Sequence, residues 1–173
     1  MQKFTTDELV IKSATKDYVT IGGYASVFGV VDSHSDIVLR GAFSSCNSLH
    51  NIKFLWQHDA TKPIGVITSM VEDEYGLYIE ANINSFIQQG QEAIALLKQG
   101  AVSSFSIGFT VSKSRNNDDG YREITDANLW EVSIVTFPAN SYAQIQHIKS
   151  SDFQDFKRLN KSLDKILSTI STL

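Results

Sequence analysis

Residues 77–83, LYIEANI, alternate apolar and polar without a break. Leu77, Ile79, Ala81 and Ile83 fall on one side, Tyr78, Glu80 and Asn82 on the other. Only a strand, whose side chains repeat every second residue, gathers those four apolar groups on one face; a helix would scatter them around its circumference. A half-buried strand needs partners, so the chain must build a sheet. Glu74-Tyr75-Gly76 provides a hairpin turn to a preceding strand. Further strands are expected at 17–28, 52–56, 63–71, 102–111 and 129–137, all rich in aromatic and β-branched residues. Gly22 and Gly23 mark a bulge or a close backbone approach in the first of these. Asp119-Gly120 is a hairpin signal between the last two.

One internal helix interrupts the pattern. Ser85 is its expected cap, and Phe86, Ile87, Ala93, Ile94, Leu96 and Leu97 are its apolar positions. Lys98 lies in its last turn and Gly100 is its stop. The fold class is therefore α+β, mainly β: an antiparallel sheet closed into a small barrel, with a few helices. From about residue 150 the β character ends. Phe156, Leu159, Leu163, Ile166, Ile170 and Leu173 form a heptad stripe. The expected organisation is a domain over 1–149 and an amphipathic helical tail over 150–173. That tail either docks on its own domain or joins another chain.

Composition narrows the functional classes. With 42% hydrophobic and 20% charged residues, the 173-residue chain reads as a folded domain. Its net charge of −4 gives no electrostatic reason to grip nucleic acid or an anionic membrane. No apolar run approaches the ~18 residues of a membrane span. The N-terminal MQKFTTDELVIK lacks the basic-then-apolar order of a signal peptide, which points to a cytosolic protein. The lone Cys46 excludes an internal disulfide and a thiolate zinc site.

Three segments could carry chemistry. Along 102–111, Phe105, Ile107, Phe109 and Val111 share a core-like face, while Ser104, Ser106, Gly108 and Thr110 share a small hydroxylated one. A nucleophilic hydroxyl needs such a fixed, uncrowded place, although strand serines also commonly just face water. Along 129–137, Trp130, Val132 and Ile134 share a face and Glu131, Ser133 and Val135 the other. A glutamate in so apolar a strand is either an edge charge or a carboxylate that orients a histidine. Of the four histidines, His34, His50, His58 and His147, His58 ends a strand beside a loop, where it suits a cleft or an ordinary surface. The third segment is Asp32-Ser33-His34-Ser35-Asp36. Asp32, His34 and Asp36 could chelate a divalent metal in a metal-dependent hydrolase. The segment lacks the glycine and distal glutamate of a calcium loop, and a polar turn is the simpler reading.

Five stretches in order, GYASVFGVVDSHSDIVLRGAF (23–43), FLWQHDATKPIG (54–65), GLYIEANIN (76–84), LLKQGAVSSFSIGF (96–109) and LWEVSIVTFPAN (129–140), resemble the prohead maturation proteases of tailed bacteriophages. These are serine endopeptidases with a fold related to the herpesvirus capsid protease, assemblin. The resemblance implies a triad of His58, Ser106 and Glu131: nucleophile Ser106, base His58, orienting acid Glu131. Ser104 stands where relatives more often have glycine, and Ser106 is preferred because its spacing to Gly108 fits the family. Oxyanion donors remain open between backbone amides near Ser106 and, through water, Arg40 or Arg115. The resemblance implies no metal or organic cofactor. It implies scaffold protein and the extensions of the major capsid protein as substrates and partners, self-cleavage, and a homo-oligomer inside the prohead in the host cytoplasm. Neither nucleic acid nor membrane is an expected partner. The alternative class is a non-catalytic β-rich module that binds capsid or scaffold.

Overall fold

The computed structural model describes residues 14–15, 17–46 and 48–149. Among these, nine strands and one α-helix follow in the order β1 (Ala14–Thr15), β2 (Tyr18–Val27), β3 (Asp36–Val38), β4 (Lys53–Trp56), β5 (Asp59–Glu72), β6 (Gly76–Asn84), α1 (Gln88–Gln99), β7 (Ser104–Asn116), β8 (Arg122–Val135) and β9 (Ile145–Lys149). The strands form one sheet ordered β1-β2-β6-β5-β4-β8-β3, with β7 on the other edge of β8 and β9 beside β2.

The alternation in 77–83 is realised in full: Leu77, Ile79, Ala81 and Ile83 are all completely buried in β6, between β2 and β5. Most neighbouring strands are antiparallel, as expected. The exceptions are β3 and β4, which both run parallel to β8. β8 has 14 residues, long enough for β3 to take 122–124 and β4 to take 131–134 along one edge. β7 fills its opposite edge as a hairpin whose turn is held by the Asn117 side chain, Oδ1 accepting the N–H groups of Asp119 and Tyr121.

The expected closed barrel is instead a curled half-barrel. Among the described residues, its two ends meet around the bridge between Ser104 and Gln144. Phe105 N–H donates to the Ala143 carbonyl at 3.0 Å and Ile145 N–H to the Ser103 carbonyl at 2.8 Å. Phe54 and Phe105 pack edge-to-face, within the buried core cluster that also holds Ile64, Ile134 and Val132.

Other boundaries move for identifiable reasons. The strand expected at 63–71 starts at Asp59, because Pro63 sits between two register irregularities of the β4–β5 ladder, where a missing N–H is tolerated. One α-helix is present among the described residues, not a few. It begins at Gln88 with Ile87 as its cap residue, so Ser85 is not the cap. Phe86, expected inside the helix, precedes it and is 71% exposed. Ala93, Ile94 and Leu97 form the buried face, and Gly100 ends the helix in the left-handed conformation, as its sequence position suggested. Trp130 does not share the core face of Val132 and Ile134. The register passes from Gly108 opposite Glu131 to Phe109 opposite Leu129, which leaves Trp130 as the bulged residue, 51% exposed. β9 was not anticipated. The amphipathic helix expected over 150–173, and with it the division of the chain, lies outside the described residues.

Gly65 is the tightest point of the sheet. It pairs with Phe54 on one side and Ile83 on the other, and a Cβ there would lie 1.8 Å from the Asn82 carbonyl oxygen. Gly65→Ala forces two central strands apart and is expected to destabilise the fold by about 1–3 kcal/mol. A thermal-unfolding midpoint several degrees below wild type checks this.

Candidate active site

Three elements converge at one end of the sheet: the turn between β4 and β5, the start of β7 and the end of β8. Trp56 pairs with Asp59, so Gln57 and His58 alone make the connection. Their φ angles are +54° and +59°, both left-handed, as in a type I′ hairpin. That turn normally uses Asn-Gly, and non-glycine residues in this region cost about 1–3 kcal/mol each. β8 provides the compensation. Gln57 N–H donates to the Ile134 carbonyl at 2.9 Å, and its side-chain amide exchanges hydrogen bonds with Thr136 at 2.8 and 3.2 Å. His58 N–H donates to Ser133 Oγ at 3.1 Å. His58 therefore lies within a strained two-residue turn and does not itself end the strand, which stops at Trp56. Gln-His carries no turn signature, which is why the sequence concealed it.

Glu131 comes from the middle of β8 and is fully buried. A buried carboxylate must be paired and hydrogen-bonded. Oε1 lies 2.6 Å from His58 Nδ1, and Oε2 accepts the Ser133 hydroxyl at 2.6 Å. It is not an edge charge: β7 pairs along this stretch of β8 on one side and β4 on the other. Gly108, opposite in the register, makes this possible. A Cβ there would lie 2.4 Å from Glu131 Oε1 and 2.8 Å from its Cγ. The glycine on the hydroxylated face of β7 thus makes room for the carboxylate.

The hydrogen bond to Glu131 is the main reason the His58 pKa lies above the ordinary histidine value. Partial burial opposes this shift and the carboxylate charge adds to it. With Nδ1–H donated to Glu131, neutral His58 carries its lone pair on Nε2.

Ser106 lies opposite Ser133 in the β7–β8 ladder and is itself buried. It lines a cleft of about 360 Å³ together with His58. Phe137, 89% exposed, and Asn140 also border this cleft. Ser104 is outside that lining, and its Oγ accepts a hydrogen bond from Gln144 Nε2 at 3.1 Å. The structure therefore brings His58 and Glu131 into direct contact and places Ser106 on the same cleft as His58.

Asp32, His34 and Asp36 line the cleft too, but the two aspartate carboxylates have other partners. Asp32 Oδ1 accepts the N–H groups of His34 and Asp36 at 2.8 and 2.9 Å, the hydrogen bonding of a polar turn. Asp36 takes a two-pronged contact from Arg122, at 2.7 and 2.5 Å. Among the described residues no group of three or more His, Cys, Asp or Glu is arranged to hold a metal ion. Arg40 faces Glu74 and Arg115 pairs with Glu123, and neither lines the cleft. His50 is exposed in a 3-10 turn at Leu49–Asn51, and His147 lies on β9 opposite Gly22. Among the described residues no helix is long and apolar enough to cross a membrane.

Known proteins resemble this chain over most of its described length. Residues 7–158 match the family described as caudovirus prohead serine protease. The prohead protease of Enterobacteria phage HK97 is 34% identical over 75% of this chain and 60% of its own length. The chain thus spans under two thirds of that relative. The prohead protease of Escherichia phage T5 is 32% identical over 91% of this chain and 77% of its own. Among solved structures, the bacteriophage T4 capsid assembly protease superposes with a TM-score of 0.54 at 14% identity, over 73% of this chain and 88% of its own. The KSHV protease superposes with a TM-score of 0.52 at 10% identity, over 74% and 64%. The half-barrel is thus the fold shared with herpesvirus proteases, and the chain belongs to the caudovirus prohead serine protease family.

Proposed function

We propose that this chain is a serine endopeptidase of phage capsid maturation, with Ser106 as nucleophile, His58 as general base and Glu131 as the residue that orients His58. The observation that carries this reading is the buried Glu131–His58 hydrogen bond at a cleft that Ser106 also lines. The bond assigns the proton of the neutral imidazole to Nδ1, so Nε2 is available to take the Ser106 proton as Oγ attacks a peptide carbonyl. The imidazolium that forms is stabilised by a carboxylate already held in place. The same nitrogen returns the proton to the leaving amine, and water repeats the cycle on the acyl-enzyme. Such proton transfer contributes roughly 100- to 10,000-fold to the rate. Nothing in these steps calls for a metal or an organic cofactor.

Family membership supports the substrates: scaffold protein, the extensions of the major capsid protein, and the protease chain itself, cleaved inside the prohead in the host cytoplasm. In this reading 1–149 performs the chemistry, and 150–173 links it to scaffold or to another copy of the chain. Self-association then concentrates the enzyme where the substrate is packed.

Five substitutions and one titration test the site. Ser106→Ala abolishes cleavage of coexpressed capsid and scaffold proteins, read by mass spectrometry, while Ser104→Ala retains substantial activity; the opposite pattern moves the nucleophile by two residues. Glu131→Gln lowers turnover by up to roughly 10,000-fold through the wrong tautomer, and combining it with His58→Ala costs little more than the worse single change. Gly108→Ala displaces the same carboxylate and lowers turnover without replacing any triad residue. The pH profile of kcat/KM rises as His58 loses its proton. Because the contact with Glu131 favours the protonated form, the inflection sits above the ordinary histidine range. Glu131→Gln brings it back down, and an inflection that stays in place in that variant counts against the pairing.

A further inference from the structure

Ser133 touches two parts of the site at once, and its sequence position alone assigns it no role. It is fully buried on β8, two residues beyond Glu131 and therefore on the same face. Its hydroxyl donates to Glu131 Oε2 at 2.6 Å and accepts the backbone N–H of His58 at 3.1 Å. A hydroxyl can donate once and accept as well, so one oxygen serves both neighbours. We propose that Ser133 is a positioning residue of this site: its hydroxyl locks the Glu131 carboxylate plane and the His58 backbone into one register, so that the imidazole meets Ser106 in a single orientation. This rests on the triad reading above.

The argument turns on degrees of freedom. His58 holds only Oε1 of the carboxylate. The last torsion of a glutamate is broad, so a carboxylate held at one oxygen can swing about it. The bond from Ser133 to Oε2 removes that swing. The backbone of His58 has the matching problem. Its left-handed φ of +59° is unfavourable without support, and the Gln57–Thr136 clamp acts one residue earlier. Ser133 is the contact on the His58 N–H itself. Since Ser133 also lies opposite Ser106 in the ladder, base, acid and serine are referred to one point on β8.

A hydroxyl that merely satisfied a buried donor would affect stability and leave the imidazole where it is. The test therefore reads the imidazole. In the full chain, wild type, Ser133→Ala, Glu131→Gln and Ser106→Ala are compared in two ways. One is the rate of covalent labelling by a fluorophosphonate probe. The other is the downfield proton signal of His58 Nδ1–H in histidine labelled with nitrogen-15, assigned by its loss in His58→Ala. All samples are measured at one pH, and Asp32, His34 and Asp36, the titratable groups that line the cleft beside His58, are the same residues in every variant. The expected result is a folded Ser133→Ala protein whose labelling slows by up to about 100-fold and whose downfield signal weakens or moves upfield. Wild-type labelling with an unchanged signal in Ser133→Ala, alongside slow labelling in Glu131→Gln, overturns the role of Ser133 and leaves the triad standing. Wild-type labelling in Ser106→Ala or Glu131→Gln overturns the triad and this proposal together. If Ser133→Ala does not fold, Ser133→Cys, similar in size with a much weaker donor, replaces it under the same two outcomes.

Discussion

A fully buried carboxylate organises this molecule. Glu131 sits in the interior of a paired strand, where an isolated charge is costly and where removing one partner leaves it unsatisfied. The surroundings answer that cost at each oxygen. His58 takes one and Ser133 the other, and Gly108 gives up its side chain so that the carboxylate has somewhere to lie. The strained turn that carries His58 follows from the same requirement. A two-residue connection brings the ring back over β8, and hydrogen bonds from the end of β8 hold the turn in its unfavourable conformation.

β8 is consequently the frame of the site. It accepts β7 on one edge and the parallel β4 and β3 on the other. Ser106 arrives from the first edge and His58 from the end of β4, so residues far apart in the chain meet across a single strand. The bulge at Trp130 adds to this. By taking one residue out of register it turns the tryptophan outward and sets Glu131 opposite the one residue of β7 that can accommodate it.

Much of this was legible in the sequence where a signal depended on local chemistry. The alternation of 77–83, the stop at Gly100, the two-faced character of 102–111 and the placement of Glu131 and Ser133 on one face are all strand or helix periodicities, and they appear in the structure. What escaped was non-local. Gln57-His58 has no turn propensity, and its conformation exists because β8 supplies partners. Trp130 reads as a core residue until the register of β7 is known. The parallel pairing of β4 depends on where β8 lies. Ser85 is a good cap by composition, yet Asn84 accepts the Phe86 N–H and the helix starts three residues after Ser85. The meeting of His58 with Glu131 came from family resemblance, and the bonds of Ser133 had no sequence signal beyond the shared face.

The seam at Ser104 and Gln144 has a consequence in time. A chain emerges from the ribosome N-terminus first, and β7 is complete well before residues 143–145 exist. Until they do, the backbone of 103–105 lacks its hydrogen-bond partners on that side, although β8 can already pair along the other. Closing the half-barrel is a contact across 40 residues, and such closures come late in folding. The strand that carries the serine is therefore among the last parts of the sheet to be fully held. A nascent chain that has made His58, Ser106 and Glu131 already contains all three residues of the proposed triad, yet it lacks the tie that fixes the strand of one of them.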